Sequence, residues 1–510
     1  MKYLIGFDIG TSGTKTLLMT VDGAVAASAT FEYPLYQEKN GWAEQDPMDW
    51  WKAVCRGVKS VLSSSGASAG DICGIGLSGQ MHGLVMLDKD GHPLRRSIIW
   101  CDQRTGEQAE WMENHIGRDK IIQITANPPM TSFTAAKILW VKQNEPDIYG
   151  RCAHILLPKD YIRYKLTGEY ATEVSDASGM QLMDIAGRCW SDEILELLGI
   201  DRALLGDMYE SQDVTGTVSS IAAEESGLNP GTPVVGGAGD NPASAVGTGI
   251  VSQGSAFTTL GTSGVVYAVS DSVHIDMRGR VHTLCASVPG KWTVMSCTQA
   301  AGLSLQWFRN QFCMNETLEA EKANKDPYTI MDDEASTIPI GCDKLIYLPY
   351  LMGERSPHPD PDCRGVFFGL SAIHTRAHLI RAVMEGVAYS QGECVDVFKE
   401  MGIMPKRMAV CGGGARSPMW RQMLADIYGC DVYTLQSEQG GALGGAILAG
   451  VGVGLYGSLQ EACGAMIKEG TVCSPDSGSG ALYRQYMKLY SSLYGKLYES
   501  WKALASIGGQ

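Results

Sequence analysis

Two aspartates stand alone where apolar segments run into glycine-rich turns. Asp8 lies in "GFDIGTSGTK", and Asp240 lies in "PVVGGAGDNPASAV". A carboxylate at the mouth of such a turn can hold a divalent cation that bridges phosphates. A carboxylate in an apolar setting also gains proton affinity, which suits a general base. The alternatives are a simple hairpin turn after Asp8 and a helix cap at Asp240.

The turn after Asp8 has a second copy in the chain. "GTSG" occurs at 10–13 and again at 261–264, each time between two apolar or β-branched runs. Successive N–H groups in glycine-rich turns can bind an anion, so the repeat predicts two related domains that each offer a phosphate loop. A chance repeat is the alternative. The residues predicted to contact phosphate are Gly10, Thr11, Ser12, Gly13, Lys15, Gly261, Thr262 and Ser263.

A third glycine cluster follows another apolar run. In "RMAVCGGGARSPMW", an apolar run is followed by three glycines and then by a segment with helical spacing. A strand that feeds glycines into a helix N-terminus suits a phosphate or the flat face of a base. We therefore predict that Gly413 and Gly414 bind a nucleotide. The alternative interpretation is a tight strand–helix turn.

Size and composition exclude several classes of protein. A chain of 510 residues is too long for one core, so two or more domains are expected. The net charge of −15 argues against a nucleic-acid surface. The 15 cysteines form no C-x-x-C motif, which favours free thiols in a reducing cytoplasm. We expect neither a signal peptide nor a membrane span.

The segment "GLSGQMHGLVML" carries polar residues inside an apolar stretch. Gln80, Met81 and His82 follow a predicted strand, at the end of a sheet where ligands often bind. A lone histidine in such a segment is more often a core residue, and the residues alone leave that alternative open. "IIWCDQRTGEQ" then supplies Trp100 and Asp102.

Longer segments of the chain resemble the FGGY family of carbohydrate kinases, a branch of the actin–hexokinase ATPases. "SFTAAKILWVKQN" at 132–144 is similar to the first signature of that family, and "GVFFGLSAIHTRAHLIRAVMEG" at 365–386 is similar to the second. The resemblance implies an α/β fold of two actin-like (ribonuclease H-like) domains with a cleft between them. We expect a sugar-binding domain at 1–245, a nucleotide-binding domain at 246–470 and a helical tail at 471–510.

The resemblance also implies the reaction, which is phosphorylation of a sugar by ATP with Mg²⁺. Asp240 would be the base, and Asp8 would position Mg²⁺. Gly302 and Gln306 would join the glycine loops in binding the nucleotide. Cys101 stands where the family usually has Asn or Gln, which leaves the local sugar contact open. The sugar site would comprise Gln80, Met81, His82, Trp100, Asp102, Asp240 and Asn241.

The Met81–His82 pair is similar to the members of the family that phosphorylate D-xylulose, whereas glycerol-phosphorylating members carry Arg-Glu there. The resemblance thus implies conversion of D-xylulose to D-xylulose 5-phosphate. The alternatives are a kinase for another ketose or polyol and a non-catalytic actin-like ATPase or sugar sensor; the intact Asp8 and Asp240 disfavour the sensor. The expected partners are the sugar and ATP, with no nucleic acid and no membrane. The sequence leaves the oligomeric state open, a homodimer included.

Overall fold

A computed structural model describes residues 1–436 and 439–507. In the first half of the chain, the strands are β1 (Tyr3–Ile9), β2 (Gly13–Thr20), β3 (Val25–Glu32), β4 (Glu44–Gln45), β5 (Ile72–Gly79), β6 (Val85–Leu87), β7 (Ser97–Ile98), β8 (His154–Leu156), β9 (Ala171–Glu173), β10 (Met183–Asp184), β11 (Cys189–Trp190), β12 (Asp207–Tyr209), β13 (Val214–Thr217), β14 (Pro233–Val235) and β15 (Ala238–Gly239). The helices of this half are α1 (Pro47–Ser65), α2 (Gly106–Met112), α3 (Arg118–Thr125), α4 (Thr134–Asn144), α5 (Pro146–Arg151), α6 (Pro158–Thr167), α7 (Val174–Ala177), α8 (Asp192–Leu198), α9 (Ser220–Ser226) and α10 (Asp240–Gly247).

The second half has longer helices and fewer strands. Its strands are β16 (Ser255–Leu260), β17 (Gly264–Ser270), β18 (His282–Cys285), β19 (Trp292–Thr298), β20 (Ile346–Leu348), β21 (Val366–Phe368), β22 (Arg407–Cys411), β23 (Asp431–Leu435) and β24 (Glu469–Cys473). Its helices are α11 (Gly302–Phe312), α12 (Met314–Ala323), α13 (Pro327–Ser336), α14 (Arg376–Glu400), α15 (Pro418–Tyr428), α16 (Gly440–Gly452), α17 (Leu459–Met466) and α18 (Ser477–Ser506).

Two seven-stranded sheets repeat one strand pattern. The first has the order β13-β14-β5-β1-β2-β3, with β15 also paired to β5, and the second has the order β18-β19-β17-β16-β22-β23-β24. In the first sheet, β1, β2 and β3 form an antiparallel meander, and β5 and β14 continue in parallel from β1. In the second, β16, β17 and β19 form the meander, and β22 and β23 continue in parallel from β16. This repetition confirms the predicted α/β fold built on two related sheets.

The glycine motifs take the local structures that their sequences predict. The two "GTSG" turns join β1 to β2 and β16 to β17, with Ile9 paired to Thr14 and Leu260 paired to Gly264. The third cluster leaves β22, forms a 3₁₀ turn at Gly413–Arg416 and enters α15. All three turns therefore lie at strand ends.

Helix α16 connects the halves, because it follows β23 of the second sheet but packs on the first. A Cβ atom added at Gly6 of β1 would lie 1.8 Å from the carbonyl oxygen of Ala442. One added at Gly76 of β5 would lie 1.9 Å from that of Gly445. Only glycine permits this backbone contact. The N-terminus of α16 thereby reaches the edge of the first sheet that carries Asp8.

Apolar side chains fill both faces of each sheet. Helix α1 buries Trp50 and Val58 against Phe7 of β1, and the long helix α14 packs on the second sheet. Among the described residues, we find no helix with the length and apolar character needed to cross a membrane.

Candidate active site

Asp8 sits where three elements meet. It lies opposite Lys15 in β2 and opposite Ser78 in β5, and the Ser78 hydroxyl donates a hydrogen bond to Asp8 Oδ1 at 2.8 Å. Lys15 Nζ donates to Gln439 Oε1 at 2.7 Å, directly before α16. Burial raises the pKa of Asp8, while the Ser78 hydrogen bond and the Lys15 charge oppose that rise. The carboxylate is thus held in place beside a single cation.

Hydrogen bonds hold the first predicted phosphate loop, at residues 10–13, in place. Gly10 N–H donates to the Gly13 carbonyl at 3.1 Å and closes the turn. The Thr11 carbonyl accepts from Gln45 Nε2 at 2.6 Å, and its hydroxyl accepts from Trp100 Nε1 at 2.9 Å. Ser12, at the tip, is exposed. Trp100 therefore lies against the loop itself, and its indole N–H is already engaged.

Gln80, Met81 and His82 follow β5 directly, next to Asp8. Gln80 Nε2 donates to Gln45 Oε1 at 2.8 Å, and its own Oε1 is buried with no hydrogen-bond partner among the described residues. Met81 is buried and packs so close to Gly239 that a Cβ there would meet its Sδ at 2.9 Å. These residues therefore border the segment that leads into Asp240.

His82 is held in a specific orientation and in its neutral form. Its φ angle is 68°, uncommon for a residue with a side chain. Its Nδ1 lies 2.9 Å from the Gly179 carbonyl, which can only accept, so Nδ1 carries the proton. Burial, followed by the charges of Lys137 and Arg355, lowers the pKa of His82 to about 3 despite that bond. The neutral ring leaves Nε2 as an acceptor for a hydroxyl group.

Lys137 supports this histidine and was missed by sequence reasoning. Its Nζ donates at 2.7 Å to the carbonyl of His82 and at 2.7 Å to that of Ser132. Burial lowers the pKa of Lys137 to about 7, although Asp102 opposes the fall. A lysine in the apolar run "TAAKILW" was the available signal. The first family signature thus includes a fully buried amine directly beneath the predicted sugar site.

Asp102 does not fit the predicted role of a sugar contact. Its side chain is fully buried, and both oxygens are occupied. Ala43 N–H donates to Oδ2 at 2.6 Å, and Arg104 Nε lies 3.0 Å from both Oδ1 and Oδ2. Because no oxygen is free to face a ligand, Asp102 instead fixes the loop that carries Trp100. The neighbouring Cys101 is half-buried, and burial raises its pKa.

Asp240 is the first residue of α10 and lies within electrostatic range of Asp8. Asn241 donates to Asp240 Oδ1 twice, from its backbone N–H at 2.8 Å and from Nδ2 at 3.1 Å. Burial, and then the negative charge of Asp8, raises the pKa of Asp240 to about 7, although the Asn241 bonds oppose the rise. A carboxylate with this proton affinity can take a proton from a hydroxyl group near neutral pH.

A buried cluster of charges supports the segment before Asp240. Gly239 N–H donates to Ser175 Oγ at 3.3 Å, and that hydroxyl donates to Glu173 Oε1 at 2.9 Å. Lys159 Nζ lies 3.4 Å from the same oxygen and 2.6 Å from Asp160 Oδ1. The side chains of Lys159, Asp160 and Glu173 are fully buried. The cluster therefore fixes the backbone that presents the candidate base.

A cavity of about 490 Å³ lies beside the second phosphate loop. It is lined by six of the residues predicted to bind a nucleotide, namely Gly261, Thr262, Gly302, Gln306, Gly413 and Gly414. Ser263 and the first loop, with Gly10, Gly13 and Lys15, are not part of its lining. Gly302 N–H donates to the Gly261 carbonyl at 2.7 Å, which joins the start of α11 to the loop.

The opposite wall of this cavity was not predicted. Helix α13 and the residues around it contribute several polar side chains to the lining, and so does the turn after Gly414. Asp332 is half-buried there, and burial raises its pKa. The sequence offers no motif for this wall. The side chains concerned are Asp326, Tyr328, Thr329, Asp332, Asp333, Arg416 and Ser417.

The donor set fits a magnesium ion that is held mainly by water and phosphate. Within the described residues, no cluster of three or more His, Cys, Asp or Glu side chains could enclose a metal. Asp8 supplies carboxylate oxygens beside the loop at 10–13. Mg²⁺ in nucleotide sites commonly uses one or two carboxylates and keeps several waters, and Asp8 matches that preference.

The chain matches the FGGY family of carbohydrate kinases over most of its length, through the N-terminal domain at residues 3–247 and the C-terminal domain at 256–453. The xylulose kinase of Bacillus subtilis (strain 168) is 39% identical over 494 residues, covering 97% of each chain. The crystal structure of xylulose kinase from Rhodospirillum rubrum has a TM-score of 0.91 at 30% identity and covers 98% of this chain and 100% of that one. Gluconate kinase from Lactobacillus acidophilus has a TM-score of 0.91 at 27% identity, covering 99% of both chains.

Proposed function

Because the chain belongs to the FGGY family of carbohydrate kinases, we propose that it transfers the γ-phosphoryl group of ATP to D-xylulose and forms D-xylulose 5-phosphate. The observation that carries the proposal is the placement of Asp240. Asp240 begins α10 beside Met81, and burial together with the charge of Asp8 raises its pKa to about 7. The relatives named xylulose kinase support the choice of sugar, since they match nearly the whole chain.

The sugar would lie on the first half of the chain. His82 Nε2 would accept a hydrogen bond from one hydroxyl group, and the Met81 side chain would contact the apolar face of the sugar. Asn241 and Gln80 supply further polar groups, and Trp100 lies at the loop edge. Buried polar groups of this kind reject sugars that lack the matching hydroxyls more strongly than an apolar pocket could. Asp102 would act indirectly, by fixing the loop.

The nucleotide would bind across both phosphate loops. The cavity beside Gly261 and Gly413 has room for the nucleoside, and the loop at 10–13 would meet the terminal phosphates. Lys15 supplies a positive charge on that side. We also propose the domain limits 1–245, 246–470 and 471–510, of which the first falls within α10 and the second within β24, shortly before α18.

The reaction needs positioning and charge neutralisation more than covalent chemistry. The terminal hydroxyl of the sugar attacks the γ-phosphorus while Asp240 accepts its proton. Asp8 would hold Mg²⁺, which neutralises phosphate charge when bound. Backbone N–H groups of the loop at 10–13, other than that of Gly10, which is bonded to the Gly13 carbonyl, would stabilise the transferring phosphoryl group. Closing the two halves over the sugar would exclude water and limit ATP hydrolysis.

We place the reaction in the cytoplasm, because all 15 cysteines are free thiols in the structure. The oligomeric state, including a homodimer, stays a prediction. A second candidate function is phosphorylation of another sugar or sugar acid, which the similarity to gluconate kinase favours.

The deciding experiment measures ADP release with D-xylulose, D-ribulose, L-ribulose, L-xylulose, glycerol and gluconate under one condition. We expect the highest kcat/KM for D-xylulose and a poor value for glycerol, which lacks most of the required hydroxyls. A clearly higher value for another member of the panel would contradict the assigned substrate but not the family. Absence of sugar-dependent ADP release with every member would contradict the kinase assignment itself.

A further inference from the structure

Arg355 lies in the second half, in the loop between β20 and β21, close to the end of β19. Its backbone N–H donates to Glu354 Oε1 at 2.7 Å. The same oxygen accepts from the N–H of Gln299 at 2.8 Å, and Gln299 directly follows β19. Two hydrogen bonds to one buried carboxylate therefore fasten the backbone of Arg355 beside that strand end.

The side chain of Arg355 is half-buried, and part of its guanidinium has no protein partner. Its Nε is buried and has no hydrogen-bond partner in the described parts of the chain, where Arg355 also forms no ion pair. Arg104 and Arg381, by contrast, pair with Asp102 and Glu385. Because a buried donor without an acceptor is costly, this Nε favours a ligand that can accept a hydrogen bond from it.

Strand β19 runs beside the predicted sugar site. His282 of β18 pairs with Met295 of β19. The His282 ring lies 5.8 Å from that of Phe133, which itself lies 4.6 Å from the ring of His82.

Burial lowers the pKa of His82 and of His282, and the positive charge of Arg355 adds to both effects. Burial raises the pKa of Cys297 in β19, and there Arg355 opposes the rise while Asp240 adds to it. Cys297 is thus within electrostatic range of both Arg355 and the candidate base. Arg355 therefore lies on the second half of the chain, within electrostatic range of His82.

We propose that Arg355 is a sugar-binding residue contributed by the second half of the chain, donating hydrogen bonds to oxygen acceptors of the bound sugar. This inference rests on the proposed function, since it concerns the same site. His82 Nε2 can only accept a hydrogen bond, whereas a guanidinium can only donate. The pair therefore selects a sugar that presents a hydroxyl group to one side and an acceptor oxygen to the other.

This arrangement has a consequence for substrate choice. A ketose carbonyl oxygen or a sugar-acid carboxylate is an acceptor only, and both match a guanidinium. The hydroxyl of a polyol at the same carbon is a weaker match. Arg355 should therefore favour a ketose over the polyol obtained by reducing it. Because its ligand lies on the other half, Arg355 also connects sugar binding to closure of the cleft.

The test compares Arg355→Met, which keeps the apolar stem, with Arg355→Lys, which keeps the charge but loses the planar donor set. Arg407→Met is the control, because Arg407 forms an exposed ion pair with Glu469 far from the cleft. We expect Arg355→Met to raise KM for D-xylulose by roughly tenfold or more, as for one or two charged hydrogen bonds. The KM for ATP should change less than about twofold, and Arg355→Lys should be intermediate.

A second measurement separates sugar binding from folding. The sugar-induced rise in melting temperature should be lost in Arg355→Met, while the melting temperature without sugar stays near that of Arg407→Met. The ratio of kcat/KM for D-xylulose over xylitol should also fall. An unchanged KM and an unchanged sugar-induced shift in Arg355→Met would overturn the proposal.

The wild-type protein provides the separate check on the proposed function. If it does not phosphorylate D-xylulose but does phosphorylate another sugar, the same variants are compared with that sugar. A selective rise in its KM supports the role of Arg355 although the named substrate is wrong. Normal wild-type activity with an unaffected Arg355→Met variant contradicts the role of Arg355 alone.

Discussion

Asp8 lies within electrostatic range of Asp240, and after burial its charge is the largest cause that raises the pKa of Asp240 to about 7. The two residues are more than two hundred positions apart in the chain. They come together because Asp8 is the next-to-last residue of β1 and Asp240 follows β15, and both strands pair with the same end of β5. The negative charge of Asp8 thereby raises the pKa of Asp240. This suits a site in which Asp8 holds a cation and Asp240 accepts a proton.

Replacing Asp240 with Asn tests the base. The substitution keeps the volume and removes the proton acceptor, so we expect kcat to fall roughly 10²-fold or more. ATP affinity should change little, because the nucleotide cavity does not include Asp240. Steady-state kinetics and calorimetry with ATP measure the two effects. Near-normal sugar phosphorylation by Asp240→Asn would show that another group accepts the proton.

The pH dependence of the reaction should report the same residue. The base must be deprotonated, so kcat/KM should rise with pH, by about tenfold per unit below pH ~7, and level off above it. In Asp8→Asn the neighbouring negative charge is gone, so the pKa of Asp240 should fall and the midpoint should move to lower pH. A midpoint that moves upward, or stays fixed in this variant, would disprove the coupling.

Replacing Asp8 with Ala tests its role toward Mg²⁺. Removing this carboxylate should raise the Mg²⁺ concentration needed for half-maximal activity, while the affinity for D-xylulose stays nearly intact. Titration of activity with Mg²⁺ gives the first quantity, and calorimetry with sugar alone gives the second. Ser78→Ala serves as a milder comparison, since it removes only the hydroxyl bonded to Asp8. Loss of sugar binding with normal Mg²⁺ dependence would reverse the assignment.

The buried charges behind Asp240 should matter for stability. Lys159→Met would leave Asp160 and Glu173 fully buried without their cation, and we expect the free energy of unfolding to fall by about 3–5 kcal/mol. Lys89→Met is the control, because Lys89 pairs with Asp90 on the surface and should cost about 1 kcal/mol or less. Urea unfolding of both variants measures the difference. Equal effects would mean that solvent reaches the cluster.

Local structure was predictable from the sequence at the glycine turns, where backbone groups are predicted to contact the ligand. The hairpins at 10–13 and 261–264 and the strand–turn–helix at Gly413 follow from glycine placed between apolar runs. The close packing of α16 follows from its small residues. In each case the signal lies within a few residues of the structure that it determines.

The contacts between distant segments could not be predicted in this way. Lys15 meets Gln439 across 424 positions, and Gly239 meets Ser175 across 64. The resemblance implies a sugar contact for Asp102, yet in the fold its carboxylate accepts hydrogen bonds from Arg104. The sequence does not show that Arg355 forms no ion pair, because this depends on the positions of the surrounding carboxylates in the fold. Pairing of this kind is decided by the tertiary fold.

Two adjacent glycines at the predicted nucleotide cavity, Gly413 and Gly414, provide a test and its control. A Cβ added at Gly413 meets no atom within 4 Å, so the protein itself does not require glycine there. A Cβ at Gly414 would lie 2.7 Å from Leu260 Cβ and 3.0 Å from the Trp420 ring, so that position is needed for packing. Both residues line the cavity.

Gly413→Val should therefore leave the free energy of unfolding within about 0.5 kcal/mol of wild type and raise KM for ATP roughly tenfold or more, since the side chain competes with the nucleotide for space. Gly414→Val should instead lower the free energy of unfolding by about 1–3 kcal/mol through overpacking against Leu260. Urea unfolding and ATP kinetics on the two variants measure both effects. If Gly413→Val binds ATP normally, the nucleotide does not approach this turn, and the cavity beside it serves another ligand.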